Sequence, residues 1–254
     1  MPANLDALTL VLSSQRSGST LLCWDIESLG GLGAPREHFL GLHEQAARSP
    51  VTEADILDRI ARGATDSDPH VGAVKLMISY TSFIDAAIHG RQRRGPLPAL
   101  RRVVGWAAQS FDRVFLVILV RNALDQAISR AVAATTDVYH ASDAADLSRV
   151  ATAELVPEVL NPLILNQLRK VLEHRRVLTE VATEFGDLAL LLTYDDLTVR
   201  TAATTQRLIA HATAHGFTPR RTTVTRSLLK VIDTERRDRL RESFLAHLRT
   251  ESGL

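Results

Sequence analysis

Four short apolar runs, separated by stretches of helical spacing, constrain this chain more than any other feature of it. They lie at 8–12 (LTLVL), 71–77 (VGAVKLM), 114–120 (VFLVILV) and 188–193 (LALLLT). Each is short, Leu-rich or β-branched, and followed by polar or turn residues, the pattern of a strand buried on both faces. Between them, Leu22, Ile26 and Leu29, and later Leu124, Ile128 and Ala131, recur at spacings that place each set along one helix face. Strands alternating with helices predict an α/β fold: a central parallel sheet with helices on both faces. Residues 157–184 read as a long helix that Pro162 should interrupt near Asn161. The segment 135–156, poor in large apolar residues, reads either as a lid, with a role in acceptor specificity, or as a weak helix.

With 254 residues, 45% of them hydrophobic, the chain is long enough for a full core and is expected to form a single domain. Thirty Lys and Arg against 29 Asp and Glu leave a net charge of +1. That is too small for the broad basic footprint of a nucleic-acid-binding protein, so no nucleic-acid partner is expected. The single cysteine, Cys23, excludes an internal disulfide and a multi-cysteine metal site, and its apolar neighbours place it in the core. No leader pattern opens the chain and no apolar stretch approaches about 18 residues, so a cytoplasmic protein without an integral membrane segment is expected.

The first run leads through Ser14, Gln15, Arg16, Ser17, Gly18, Ser19 and Thr20 into a helical pattern. A strand, a Ser- and Gly-rich turn and a helix start aim backbone N–H groups and the positive end of the helix dipole at one point, which suits a phosphate-like group. Gly18 lets the main chain come close, Ser17, Ser19 and Thr20 add hydroxyls, and Arg16 adds a permanent charge. A Ser-capped turn is the simpler alternative. Arg16 weighs against it, because a guanidinium at a helix N-terminus opposes the dipole unless an anion sits between them. The nucleotide-hydrolysing pattern GxxxxGK[ST] fails here: Ser13 stands where its first Gly belongs and Ser19 where its Lys belongs. Asp195 and Asp196, after the last run, keep a magnesium site open, although Asp195 is expected to cap the helix that starts there.

The string QRSGSTLL resembles the 5′-phosphosulfate loop, PRSGSTLL, of the sulfotransferase family typified by bacterial trehalose 2-sulfotransferase. Further stretches resemble that family in the same order: APREHF at 34–39, VGAVKLM at 71–77, RNALDQAISRAVAA at 121–134 and LLLTYDDL at 191–197. The tail LLKVIDTERRDRL matches only loosely, through Lys230 and Asp233, and Gln15 replaces the family's Pro. The resemblance implies a P-loop-like sulfotransferase fold and the donor 3′-phosphoadenosine 5′-phosphosulfate (PAPS, leaving PAP as product), with no metal. The sulfuryl group would pass to a hydroxyl of a carbohydrate, glycolipid or other hydroxylated metabolite.

The resemblance also assigns roles. Arg16 would bridge the 5′-phosphate and the transferring group, with Ser17, Gly18, Ser19 and Thr20 on the same phosphate. Arg121 and Ser129 would hold the 3′-phosphate, with Lys230 a further donor contact. Glu37 would be the general base, with His38 and His43 as competitors. Lys75 would lie near the acceptor or sulfate. From the residues alone, Glu37 reads as a solvated carboxylate and Lys75 equally well as a strand-end lysine reaching for water. The polar stripe Asn122, Gln126 and Ser129 reads as a solvated helix face. Two acid-free basic stretches, 89–102 and 216–230, could complete an anion site or simply be solvated. A P-loop kinase or NTPase and a non-catalytic nucleotide-binding module remain the alternatives, and oligomeric state, a homodimer included, stays open.

Overall fold

The computed structural model describes residues 5–46, 48–90, 95–139, 144–226 and 234–252. Lys230 and the residues around it lie outside that set. The described elements run β1 (Ala7–Ser13), α1 (Ser19–Leu29), α2 (Leu40–Ala46), α3 (Glu53–Ala61), β2 (Val71–Met77), a 3-10 turn (Ile78–Tyr80), α4 (Thr81–His89), α5 (Pro96–Ser110), β3 (Arg113–Val120), α6 (Ala123–Thr136), α7 (Ala144–Thr152), α8 (Pro157–Phe185), a second 3-10 turn (Gly186–Leu188), β4 (Ala189–Thr193), α9 (Tyr194–Val199), α10 (Thr201–Ala214) and α11 (Thr234–Ser252). All four expected strands form, to within two residues at either end. They make one parallel sheet in the order β2-β1-β3-β4, with Val11 opposite both Lys75 and Val117.

The period-2 alternation of side chains sorts the strands' residues between two cores. Leu8, Leu10, Leu12, Val74, Leu76, Leu116 and Ile118 pack on one face with α3, α4 and α5 residues such as Ile56, Ile84 and Val103. Val11, Phe115, Val117 and Leu119 pack on the other with Leu22, Ile26 and Leu29 of α1 and Leu208 of α10. Helices therefore cover both faces, as the apolar runs require.

The chain divides into two compact units, residues 1–120 with 176–226 and residues 121–175 with 227–254. The sheet belongs to the first. The second has its own core, in which Ala127, Ile128, Val132, Leu160, Ile164 and Phe244 are buried together. Within it, Asp125 of α6 pairs with Arg241 of α11, and Arg236 donates to the backbone carbonyls of Val150, Ala151 and Ala153.

Two local expectations are corrected, and an open one is narrowed. The helix over 157–185 runs through Pro162 without interruption. That proline lies close to the helix start, so it forfeits only the bond to the Glu158 carbonyl, and Leu160 and Ile164, buried on either side, hold the turn in place. Of the two readings offered for 135–156, part of the segment takes the helical one, as α7. Asp195 does not cap α9: Thr193 does, in a capping box whose third residue is Asp196. Partial burial opposes ionisation of Asp196, yet its hydrogen bonds with Thr193 and the nearby Arg207 and Arg200 hold its carboxyl below the usual carboxylate range. Among the described residues no helix is long and apolar enough to cross a membrane.

Candidate active site

β1 ends at Ser13 and the chain turns sharply before α1, Ser17 N donating to Ser14 O at 3.3 Å. Arg16 (φ 63°) and Gly18 (φ 95°) both take the left-handed conformation, and Gly18 is the N-cap. A side chain at Gly18 would be strained by its backbone and would also strike the Tyr194 ring, 2.4 Å from a Cβ built there. The helix start carries no side-chain cap and no acidic residue in its first turn. Among the described residues, its first-turn N–H groups, which have no partners inside the helix, thus receive no side-chain cap from Gly18 and no first-turn carboxylate. This suits an oxyanion and differs from the Ser-capped alternative. Ser17 is fully buried, and its Oγ has no hydrogen-bond partner among the described residues. Ser19 is also buried, Arg16 and Thr20 are half-buried, and Cys23 lies in the core with its thiol pushed up to about 12 by burial.

The segment carrying Glu37 reaches this loop along the outer edge of β2. Lys75 N donates to Arg36 O at 2.8 Å and Ala34 N to Gly63 O at 2.7 Å. Backbones approach so closely here that a Cβ on Gly63 would stand 1.9 Å from Ala73 O. Val74 and Leu76 enter one core, which turns Lys75 to the face shared with α1. Its Nζ lies 3.0 Å from Glu37 Oε2 and donates to Thr20 Oγ1 at 3.5 Å. At 6% side-chain exposure Lys75 is not the solvent-seeking strand-end lysine of the simpler reading, and Glu37, at 24%, is paired while still reachable.

Tyr80 is the residue that sequence reasoning missed. Its hydroxyl donates to Glu37 Oε1 at 2.7 Å. Burial, reinforced by the Glu37 hydrogen bond and charge, pushes that phenol well above the ordinary value, so it remains a donor. No spacing rule links position 80 to 37; its place just beyond β2 is the one signal available. Of the two histidines, half-buried His38 has its imidazole held below the ordinary value by burial, with a hydrogen bond to the Ala34 backbone opposing and the charges of Arg36, Arg62 and Arg59 reinforcing. Exposed His43 packs its ring 5.2 Å from that of Tyr80.

Arg121 and Ser129 belong to the second unit. Arg121 is half-buried; Asn122 caps α6 by accepting from Leu124 N and Asp125 N; Gln126 and Ser129 are 2% and 5% exposed. Gln126 and Ser129 are therefore not on the solvated face that the stripe's periodicity suggested, while Asn122 is exposed. Neither basic stretch is a free run of charge among its described residues. Arg101 pairs with Glu184, Arg102 and His89 with the buried Asp85, Arg220 with Asp68 and Arg226 with Asp25. Nor do the described residues bring together three or more His, Cys, Asp or Glu in a group that could hold a metal ion.

No curated protein matches the chain. The sequence model of the Stf0 sulphotransferase family matches residues 9–242, from β1 into α11. That span takes in the turn at Arg16–Gly18, the Glu37 segment, β2 and α6, so the motifs and the fold that positions them lead to one assignment: the chain belongs to the Stf0 sulphotransferase family.

Proposed function

We propose that this sulfotransferase uses PAPS as donor and transfers its sulfuryl group in line to a hydroxyl of a carbohydrate, glycolipid or other hydroxylated metabolite, without a metal. The observation that carries this reading is the contact of Lys75 with both Thr20, in the first turn after the anion-holding loop, and Glu37. It brings a carboxylate to the helix start where an oxyanion is favoured, which a non-catalytic nucleotide-binding module would not need.

When bound, PAPS supplies a sulfuryl group attached to a phosphate leaving group. The chain's residues do the rest. Backbone N–H groups at the start of α1 and the Arg16 guanidinium hold the 5′-phosphate and offset the charge that grows on the leaving oxygen, a contribution whose loss typically raises a barrier by about 2.7–4 kcal/mol. Thr20 and Lys75 extend the cationic and hydroxyl lining of the loop, while Glu37 takes the proton from the acceptor hydroxyl as that oxygen attacks. Ser17, Gly18 and Ser19 shape the turn. The roles of Arg121 and Ser129 at the 3′-phosphate and of Lys230 as a donor contact rest on the motif match, and a role of 135–156 in acceptor selection rests on its composition, poor in large apolar residues. His38 stays a substrate-lining candidate beside Glu37.

Two measurements test the proposal. Thermal stabilisation by PAP should exceed that by ATP with magnesium, since a ligand of the native state raises its apparent stability; the reverse order would favour the kinase reading. Glu37→Gln should lower turnover at least a hundredfold while PAP affinity stays within a few-fold, and undiminished turnover would remove Glu37 as the base.

A further inference from the structure

We infer that Tyr80 is the positioning residue for Glu37, fixing through its hydroxyl the orientation in which the carboxylate meets the acceptor. The inference rests on the reading of Glu37 as the base. Glu37 stands on an irregular stretch just before α2, and a glutamate has three side-chain torsions to restrain. What restrains it comes from β2 and the turn that follows: Lys75 at Oε2, 3.0 Å, and Tyr80 at Oε1, 2.7 Å. A carboxylate has about four lone-pair sites. These two donors, one on each oxygen, leave further sites free for an incoming hydroxyl.

Tyr80 is itself held rigidly. Its residue is 5% exposed, it closes the 3-10 turn Ile78–Tyr80, and Thr81 Oγ1 donates to Ile78 O at 2.8 Å across that turn. The ring lies 5.2 Å from His43 and 6.0 Å from Phe83. With only two side-chain torsions and an O–H···O⁻ bond, it is a stiffer and more directional support than the long Lys75 ammonium. A displaced general base is expensive: about 1 Å of misplacement can cost about a hundredfold in rate.

The test is Tyr80→Phe, which removes the hydroxyl and keeps the ring, assayed with sulfur-labelled PAPS and trehalose as acceptor. Turnover should fall at least tenfold with PAP affinity within twofold of the parent, and the loss should vanish in a Glu37→Gln background, where there is no base left to orient. Turnover within twofold of the parent, or an equal further loss in that background, overturns the inference while leaving Glu37 as base. Full turnover of Glu37→Gln alone overturns the base reading and this inference with it. Urea unfolding of the same four proteins needs no acceptor: the hydroxyl and the carboxylate should be coupled at least fivefold in the unfolding equilibrium, and additivity within twofold overturns the positioning role.

Discussion

Asp25 and Arg226, 201 residues apart in sequence, form a two-pronged ion pair, with Nε 2.9 Å from Oδ1 and Nη2 2.5 Å from Oδ2. Asp25 lies on α1, the helix that begins at the turn through Arg16 and Gly18, and its side chain is 2% exposed. Burial pushes its carboxyl above the ordinary value even though Arg226 favours the charged form. Arg226 also donates to Leu197 O at 2.6 Å and to Thr201 Oγ1 at 3.0 Å, so one guanidinium ties the end of the first unit's chain to α1, α9 and α10.

Removing that guanidinium strands a buried carboxylate. Arg226→Met should destabilise the protein by about 3–5 kcal/mol, the usual cost of breaking a buried pair from one side. The double variant Asp25→Asn with Arg226→Met should recover part of the loss, because no unpaired charge remains. Urea unfolding of the three proteins checks the order.

Gly18→Ala should cost about 1–3 kcal/mol from the left-handed backbone alone, with the Tyr194 ring forced aside in addition. PAP should lose most of its stabilising effect in a thermal unfolding assay. Shortening Tyr194 in the same protein should relieve only the clash and leave the backbone strain, so recovery is partial.

Lys75→Met leaves Glu37 with a single charged-form donor, Tyr80, and removes the link to Thr20. The expected stability loss is about 1–3 kcal/mol, the scale of losing a hydrogen bond to a charged group. Turnover should fall more steeply than in Tyr80→Phe, since both the loop and the carboxylate are released. Comparing kcat and PAP affinity for the two variants tests this.

The histidines give a pH dependence of definite sign. Burial holds the imidazole of His211 below its ordinary 6.5, with the His215 charge adding to the effect; its Nε2 lies 3.2 Å from Leu188 O. His38 and His174 are likewise held low, first by burial. Below pH 6.5 the unfolded chain takes up protons that the folded protein refuses, so stability is complete above that value and declines as the pH falls toward the lowered folded values. Each such group contributes at most about 1.4 kcal/mol per pH unit in that window. His211→Gln should flatten the slope of unfolding free energy measured from pH 7 to 5, and an unchanged slope would assign the dependence elsewhere.

Much of the fold was legible because its signals are local. Four apolar runs with the right length and flanks became four parallel strands, and Leu22, Ile26 and Leu29 became a buried helix face. The capping box Thr193 to Asp196 is equally local: a Thr followed three residues later by an Asp marks Thr193, not Asp195, as the cap. Pro162 misled because the helix-breaking rule speaks of interiors, and this proline sits near an end whose neighbours are buried.

The sequence by itself thus determined the sheet, the helix faces that pack against it and the residue types offered at the turn through Arg16 and Gly18, since backbone conformation and side-chain periodicity follow from residues close in the chain. Only the tertiary structure decided that Lys75 and Tyr80 hold Glu37, that Asp25 meets Arg226, and that Arg101, Arg102 and Arg220 of the two acid-free stretches are matched by acids elsewhere. The physical reason is that an ion pair or a charged hydrogen bond depends on distance through space and on burial, and neither is encoded in the spacing of residues along a chain.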